Sequence, residues 1–170
     1  MRSCPLESQA PDGSSVDAPG TDGGLRKSEL PDGYQLVRSW LLDTAQDLAH
    51  LRASLKTELA QGIAPEPDLA RVAHAMVLVA SELATNALKH GIPPTIVRLL
   101  RRSDMFLLDV ADHDLSTRPR LAEARAPGEG GFGLQIARRI AFEVSWYTTD
   151  VTKHVWAIFP VREAPQAPVH

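Results

Sequence analysis

Apolar residues recur three or four positions apart in two long stretches of the chain. The first stretch predicts a helix over 44–60, which ends before Gly62. The second predicts a helix over 68–90, which Gly91 and Pro93 terminate. The apolar stripe of the first helix consists of Leu48, Leu51, Leu55 and Leu59, and that of the second of Val72, Met76, Val79 and Leu83. These two helices are the longest elements that the pattern predicts.

Shorter apolar runs, separated by turn residues, predict strands. A hairpin over 95–102 and 105–111 has Ser103 and Asp104 at its turn. The other predicted elements are strands over 36–42, 143–149 and 154–161, and a short helix over 131–142. The order along the chain is strand, helix, helix, strand, strand, helix, strand, strand. Hairpin-joined strands with helices on one face predict an α+β fold, a two-layer α/β sandwich.

Both ends of the chain differ in composition from this central part. Residues 1–33 hold five Gly, four Pro and five Ser, with few large apolar side chains. Such a segment cannot bury enough surface to offset the entropy lost on ordering. We therefore expect a disordered N-terminal tail over 1–33, one domain over 34–163 and a C-terminal tail over 164–170.

The bulk composition argues against several classes of function. A net charge of −3 disfavours nucleic-acid binding through a basic field. The single cysteine, Cys4, allows neither an internal disulfide nor a cysteine-based zinc site. No apolar stretch has the length of a bilayer span, and the first residues lack the apolar core of a signal peptide. We expect a soluble, cytoplasmic protein that does not bind membranes.

The second predicted helix carries a polar face beside its apolar stripe. At about 100° per residue, Glu82, Asn86 and Lys89 share one narrow face at the margin of the predicted core. An amide oxygen suits Mg²⁺, a lysine can neutralise phosphate charge, and a carboxylate one turn away can orient or deprotonate a nucleophile. For this segment alone, the commoner alternative is an ordinary solvated face.

Two further features follow along the chain. Asp112 ends an apolar strand, where its carboxylate could accept a hydrogen bond from adenine or simply form a turn. The cluster Gly130-Gly131-Phe132-Gly133 opens a helix, where it could bind phosphate or act as a hinge. The loop over 114–130 between these two features has the length of a lid. Each feature is weak alone, but their order and spacing fit one nucleotide pocket.

In combination, these segments resemble the ATP-binding boxes of the GHKL superfamily, which has the Bergerat, or histidine kinase-like ATPase, fold. Residues 82–91 look like its N box, 110–112 like its G1 box and 130–134 like its G2 box. The short chain and its ending over 153–157 are most similar to the RsbW/SpoIIAB-type anti-sigma factor serine kinases and their actinobacterial relatives. The likeness covers roughly residues 36–161.

The resemblance implies a site for ATP and Mg²⁺. Glu82 matches the family's general base and Asn86 its Mg²⁺ ligand. Asp112 matches the aspartate that reads adenine, and the loop after it matches the ATP lid. The residues that the resemblance places near the phosphates are Lys89 and His90 of the N box and Gly131, Phe132, Gly133 and Leu134 of the G2 box.

The resemblance also implies a regulatory function. In these relatives, ATP phosphorylates a serine on an anti-anti-sigma partner, a STAS-domain protein, and the same domain sequesters a sigma factor. Arg52 falls where relatives carry an arginine near the partner surface. Relatives also commonly form homodimers.

Three departures from the family pattern leave other functions open. Asp114 replaces a glycine of the G1 box, Glu129 stands where some kinases have a basic residue, and His154 stands where relatives often have threonine. The last change would remove a contact to phosphate or base. One alternative to a serine kinase is an ATP-binding adaptor or anti-sigma factor without phosphoryl transfer. Another is a histidine-kinase-like ATP domain with a separate phospho-acceptor, although the chain lacks the dimerisation helices that this would need.

Overall fold

A computed structural model describes residues 25–62, 67–119 and 133–161 of the chain. The predictions for the tail over 164–170, for Cys4, for Glu129 and for Gly130 to Phe132 concern residues outside these ranges. The helices are α1 (Ala45–Gly62), α2 (Pro67–His90) and α3 (Gly133–Ile140). The strands are β1 (Arg26–Lys27), β2 (Gln35–Leu42), β3 (Thr95–Arg102), β4 (Met105–Asp112), β5 (Glu143–Thr148) and β6 (Lys153–Pro160). They form one sheet in the order β1-β5-β6-β4-β3-β2, in which only the β1–β5 pair is parallel among the described strands.

The helices cover one face of this sheet, which confirms the predicted two-layer α+β sandwich. Helix α2 is central, because it packs against α1 and α3 and also against β3, β4 and β6. Strand residues at alternate positions point into the same core as the helices. Those of the three middle strands include Val97, Leu99, Leu108, Val110, Ala157 and Phe159. We call this face of the sheet the helix side, and the other the far side.

Helix α1 begins one residue later than predicted, because Thr44 caps it. The Asp47 carboxylate accepts hydrogen bonds from the backbone N–H of Asp43 (3.0 Å) and of Thr44 (2.8 Å), and from the Thr44 hydroxyl (3.0 Å). A carboxylate that reaches back in this way satisfies N–H groups at the helix start that have no helical partner. These hydrogen bonds lower the pKa of Asp47 below its usual value. The four leucines of the predicted stripe are all buried.

The ordered domain begins before Tyr34, so the predicted tail is wrong for residues 25–33. Trp146 Nε1 donates a hydrogen bond to the Leu25 carbonyl (3.0 Å), and Trp156 Nε1 donates to the Ser28 carbonyl (2.9 Å). Leu30 and Tyr34 pack on the far side of the sheet, against Leu100, Leu107, Trp156 and Ile158. We call residues 25–34 the N-terminal arm. The low apolar content of the arm led to the prediction of disorder. The arm is ordered because it packs against strand residues that are distant in the sequence.

The predicted bounds of the other helices and strands agree with the structure to within one or two residues. Trp40, Trp146 and Trp156 are buried. Helix α3 ends at Ile140 rather than at 142, and β5 follows almost at once at Glu143. None of the described helices is long and apolar enough to cross a membrane.

Candidate functional site

The end of α2 and the end of β4 meet at a contact that only glycine allows. A Cβ atom on Gly91 would lie 2.7 Å from Asp112 Cγ and 2.5 Å from the Ala87 carbonyl oxygen. Both distances are far shorter than van der Waals contact. Among the described glycines only Gly33 has a positive φ, so Gly91 is needed for this close approach and not for a left-handed helix cap. The N-box segment and the G1-box segment are therefore in direct contact.

The residues that follow each segment strengthen this junction. His113 donates its backbone N–H to the Ile92 carbonyl at 3.0 Å. Its ring Nδ1 lies 3.2 Å from the Pro94 carbonyl oxygen, to which it can donate in the matching tautomer. The loop after α2 and the loop after β4 are thus joined by main-chain and side-chain hydrogen bonds, which hold Asp112 in place beside the helix.

Asp112 itself is nearly buried, and its charge is compensated. Its side chain is 9% exposed, Oδ1 accepts the backbone N–H of Asp114 (2.7 Å), and Oδ2 lies 3.5 Å from Lys153 Nζ. Two carboxylate oxygens offer about four lone-pair positions. Asp112 therefore keeps acceptor capacity for a further donor.

Asp114, which replaces the glycine of the G1 box, is tied to the sheet. Its carboxylate accepts hydrogen bonds from the Ser116 hydroxyl and N–H and from the Thr117 hydroxyl, and lies 3.8 Å from Lys153 Nζ. The hydrogen bonds from Ser116 and Thr117, with the smaller effect of the Lys153 ammonium, hold the pKa of Asp114 well below its usual range. The lid over 114–130 was predicted to start at Asp114. Its first residues instead form a compact turn, and residues 120–130 lie outside the described chain.

The polar face of α2 occupies the border of the core, as the periodicity predicts. Glu82 and Asn86 are half-buried, whereas Lys89 and His90, in the last turn, are exposed. Neither the Glu82 carboxylate nor the Asn86 amide makes a side-chain hydrogen bond to another described residue. Since His90 directly precedes Gly91, the face runs toward Asp112 and ends beside it.

The G2 box is described only in part. Gly133 is the first residue of α3, and Leu134 is buried in the main core. Helix α3 packs against α2, so the start of α3 belongs to the same layer as the polar face. Gly131 and Phe132 lie outside the described residues.

The His154 side chain lies outside this site, so the loss of a phosphate or base contact expected from this departure has no support in its position. Its ring stacks on Tyr147 at a centroid distance of 4.4 Å, its Nδ1 lies 3.1 Å from both carboxylate oxygens of Asp109, and its Nε2 lies 2.8 Å from Thr152 Oγ1. Asp109 also accepts two hydrogen bonds from Arg98. All of these side chains lie on the far side of the sheet, because successive strand residues point to opposite faces.

The strand residue that does face the site is Lys153, which the sequence reasoning did not assign. It pairs in register with Asp112 across β4 and β6, and it precedes Val155 and Ala157 on the helix side. A lone lysine at a strand start is a weak signal in a sequence. Recognising it would have required knowing which face of β6 turns toward α2.

The residues around Asp112 fit an adenine nucleotide with Mg²⁺. Thr95 is fully buried on the neighbouring strand, and its hydroxyl has no hydrogen-bond partner. It lies one position beyond the Ile96–Ala111 pair, level with Asp112. A buried polar group without a partner calls for an explanation, and a polar ligand edge at this point supplies one. The described residues hold no cluster of three or more His, Cys, Asp or Glu side chains for a metal, so Mg²⁺ at Asn86 would take further oxygens from the nucleotide.

These features define an α/β sandwich in which Asp112 and Lys153 of the sheet lie beside the end of the central helix and its polar face. The family model described as "Histidine kinase-like ATPase domain" matches residues 41–159, and the chain therefore belongs to this family. The match confirms the GHKL resemblance at family level. Membership implies ATP binding, usually with Mg²⁺. A search of curated proteins gives no significant match.

Proposed function

We propose that this protein is a cytoplasmic, Mg-ATP-dependent serine/threonine kinase of the anti-sigma factor type. It phosphorylates a STAS-domain anti-anti-sigma protein and binds a sigma factor. The observation that carries the proposal is the junction at Asp112. Gly91 lets the end of α2 lie against Asp112, which supports a single site made of the proposed acceptor for adenine and the polar face with Glu82 and Asn86.

The nucleotide supplies the phosphoryl group, and the chain's own residues position the reactants. Asp112 accepts a hydrogen bond from the amine of the base, and Asn86 offers an amide oxygen to the metal. Glu82, one turn before Asn86, accepts the proton of the partner's serine hydroxyl. Glu82 suits this role because it is half-buried and not engaged by another described side chain.

In this proposal the partner surface includes Arg52, which contacts the residue before the proposed base. Arg52 of α1 donates from Nε to the Ser81 hydroxyl at 2.9 Å, and Ser81 directly precedes Glu82. Arg52 remains exposed, so its charge is available to a bound protein. A partner that contacts Arg52 would therefore present its serine close to Glu82.

Calorimetric titration of the whole chain with Mg-ATP tests the nucleotide site. We expect micromolar binding that Asp112→Ala abolishes, because the variant lacks the acceptor for the base. Asp104→Ala, in the exposed β3–β4 turn, is the matched control and should bind normally.

In the Asn86→Ala variant, removal of Mg²⁺ with a chelator should no longer change the affinity for ATP. If the wild-type chain binds no nucleotide, the proposal is wrong.

Phosphoryl transfer is tested with a purified STAS-domain anti-anti-sigma protein from the same organism. Mass spectrometry should detect one phosphate on the STAS protein with wild type and none with Glu82→Gln, while both chains bind ATP equally. Glu143→Gln, at a half-buried glutamate of β5, is the control. Equal ATP binding without transfer by wild type would favour the alternative function, an ATP-binding adaptor or anti-sigma factor without kinase activity.

A further inference from the structure

Lys153 places a buried ammonium group beside Asp112, the proposed acceptor for the base. Its side chain is 9% exposed, and Nζ lies 3.5 Å from Asp112 Oδ2, 3.8 Å from Asp114 Oδ2 and 3.3 Å from Thr117 Oγ1. Lysines are almost never this buried unless they are paired. The pairing here includes one departure from the family pattern, since Asp114 replaces the G1-box glycine and lies 3.8 Å from Lys153 Nζ.

The charge balance of this cluster leaves donor capacity on the lysine. Two carboxylates and one ammonium group carry a net charge of −1, so Lys153 offsets the repulsion between Asp112 and Asp114. An ammonium group has three N–H donors. Only the contact to Thr117 has hydrogen-bond length, while both carboxylate contacts are longer.

Lys153 and Asp112 therefore present a donor and an acceptor next to each other. Adenine offers the complementary pair on one edge, where the amine at position 6 is a donor and the neighbouring ring nitrogen N1 is an acceptor. A site that satisfies both atoms discriminates more strongly than one that reads the amine alone, because an analogue without N1 leaves one N–H donor of the buried ammonium group without an acceptor.

We propose that Lys153 is a base-specificity residue, which donates a hydrogen bond to N1 of adenine while Asp112 accepts one from the amine. This inference rests on the proposed function, because it assigns a contact within the same ATP site. The competing explanation is that Lys153 only neutralises the two carboxylates and touches no ligand.

Calorimetry with two nucleotides and two proteins separates these explanations. The second nucleotide is 1-deaza-ATP, which keeps the amine but has C–H in place of N1, and the second protein is Lys153→Met. We expect wild type to bind 1-deaza-ATP more weakly than ATP by on the order of 10-fold or more. Lys153→Met should bind both nucleotides with the same affinity.

Each other outcome has a definite meaning. Equal affinity of wild type for the two nucleotides overturns the inference but leaves ATP binding intact, and this holds even if Lys153→Met does not fold. Discrimination that persists in a folded Lys153→Met variant also overturns it. If wild type binds neither nucleotide, the proposed function fails, and the inference fails with it. Circular dichroism at each step shows whether the variant keeps the native fold.

Discussion

At the scale of single residues, Gly91 decides how closely the central helix approaches the sheet. Its missing side chain lets the Asp112 carboxyl and the Ala87 carbonyl occupy space that any other residue would fill. A glycine after a helix is commonly explained by a left-handed cap. Here the reason is steric, and it lies in a strand that follows α2 in the chain.

Replacing Gly91 with alanine should damage both stability and nucleotide binding. The new Cβ must displace Asp112 or the last turn of α2, which we expect to cost about 1–3 kcal/mol of unfolding free energy. ATP affinity should fall by roughly 10-fold, because Asp112 leaves its position. Gly62→Ala is the control, since its Cβ would lie 3.1 Å from Phe106 Cζ, away from the site. Urea unfolding and calorimetry would contradict the prediction if both variants behaved alike.

Asp114 should make the stability of the protein sensitive to acid. Its pKa is lower in the folded chain than in the unfolded chain, where an aspartate titrates near pH 3.9. The stabilisation by its carboxylate is therefore fully present at neutral pH and is lost as the pH falls below about 4.

Thermal unfolding of Asp114→Asn and wild type from pH 7 to pH 2.5 measures this effect. The variant should melt at a lower temperature at neutral pH, and the difference should shrink as the pH falls. A difference that is constant across this range would show that charge is not the cause. Asp150→Asn, in the exposed β5–β6 turn, should match wild type throughout.

At the scale of elements, β6 separates two kinds of polar residue onto the two faces of the sheet. Lys153 points to the helix side and contacts Asp112, whereas His154 points to the far side and contacts Asp109. Neighbours in sequence thus serve different parts of the molecule. The residue type at 154 should therefore matter for folding and not for the nucleotide.

His154→Thr, which introduces the residue that relatives often carry, provides the test. We expect ATP affinity to stay within about twofold of wild type, because the side chain lies behind the sheet. Stability should fall by roughly 1–3 kcal/mol, since the fully buried Asp109 loses a hydrogen-bond donor. A large loss of ATP affinity in a stably folded variant would show that His154 affects the nucleotide site.

At the scale of the whole molecule, the N-terminal arm completes the domain. Two indole N–H groups, those of Trp146 and Trp156, have backbone carbonyls of the arm as acceptors. Leu30 and Tyr34 cover the apolar cluster on the far side. The guanidinium of Arg102 lies 4.7 Å from the Tyr34 ring centre and donates to the Asp32 carbonyl, so the arm is held at both ends.

Comparing a chain of residues 25–170 with one of residues 35–170 tests the arm. The shorter chain lacks the two carbonyl groups that accept hydrogen bonds from the indoles, and it lacks the Leu30 and Tyr34 side chains. We expect its free energy of unfolding to be lower by at least about 3 kcal/mol. Its tryptophan emission should shift to the red as Trp156 meets water. Identical urea midpoints and emission for the two chains would mean that the arm contributes nothing to folding.

The sequence by itself determined the features that depend on neighbours along the chain. The leucine stripe of α1, the polar face of α2 and the β3–β4 hairpin follow from local spacing. The family was recognised by the resemblance of short motifs to those of known proteins. Asn86 and Glu82 share a helix face whatever surrounds the helix, so their relative position needed no tertiary information.

Only the tertiary structure decided where distant segments meet. Strand β6 is apolar on both faces, so alternation alone could not show that Lys153, and not His154, turns toward Asp112. The arm has a composition typical of a tail, and it is ordered by tryptophans more than a hundred residues away. The contact between Gly91 and Asp112 likewise exists only once the sheet has formed. Each of these three features depends on packing between distant segments, about which the local spacing of apolar residues carries no information.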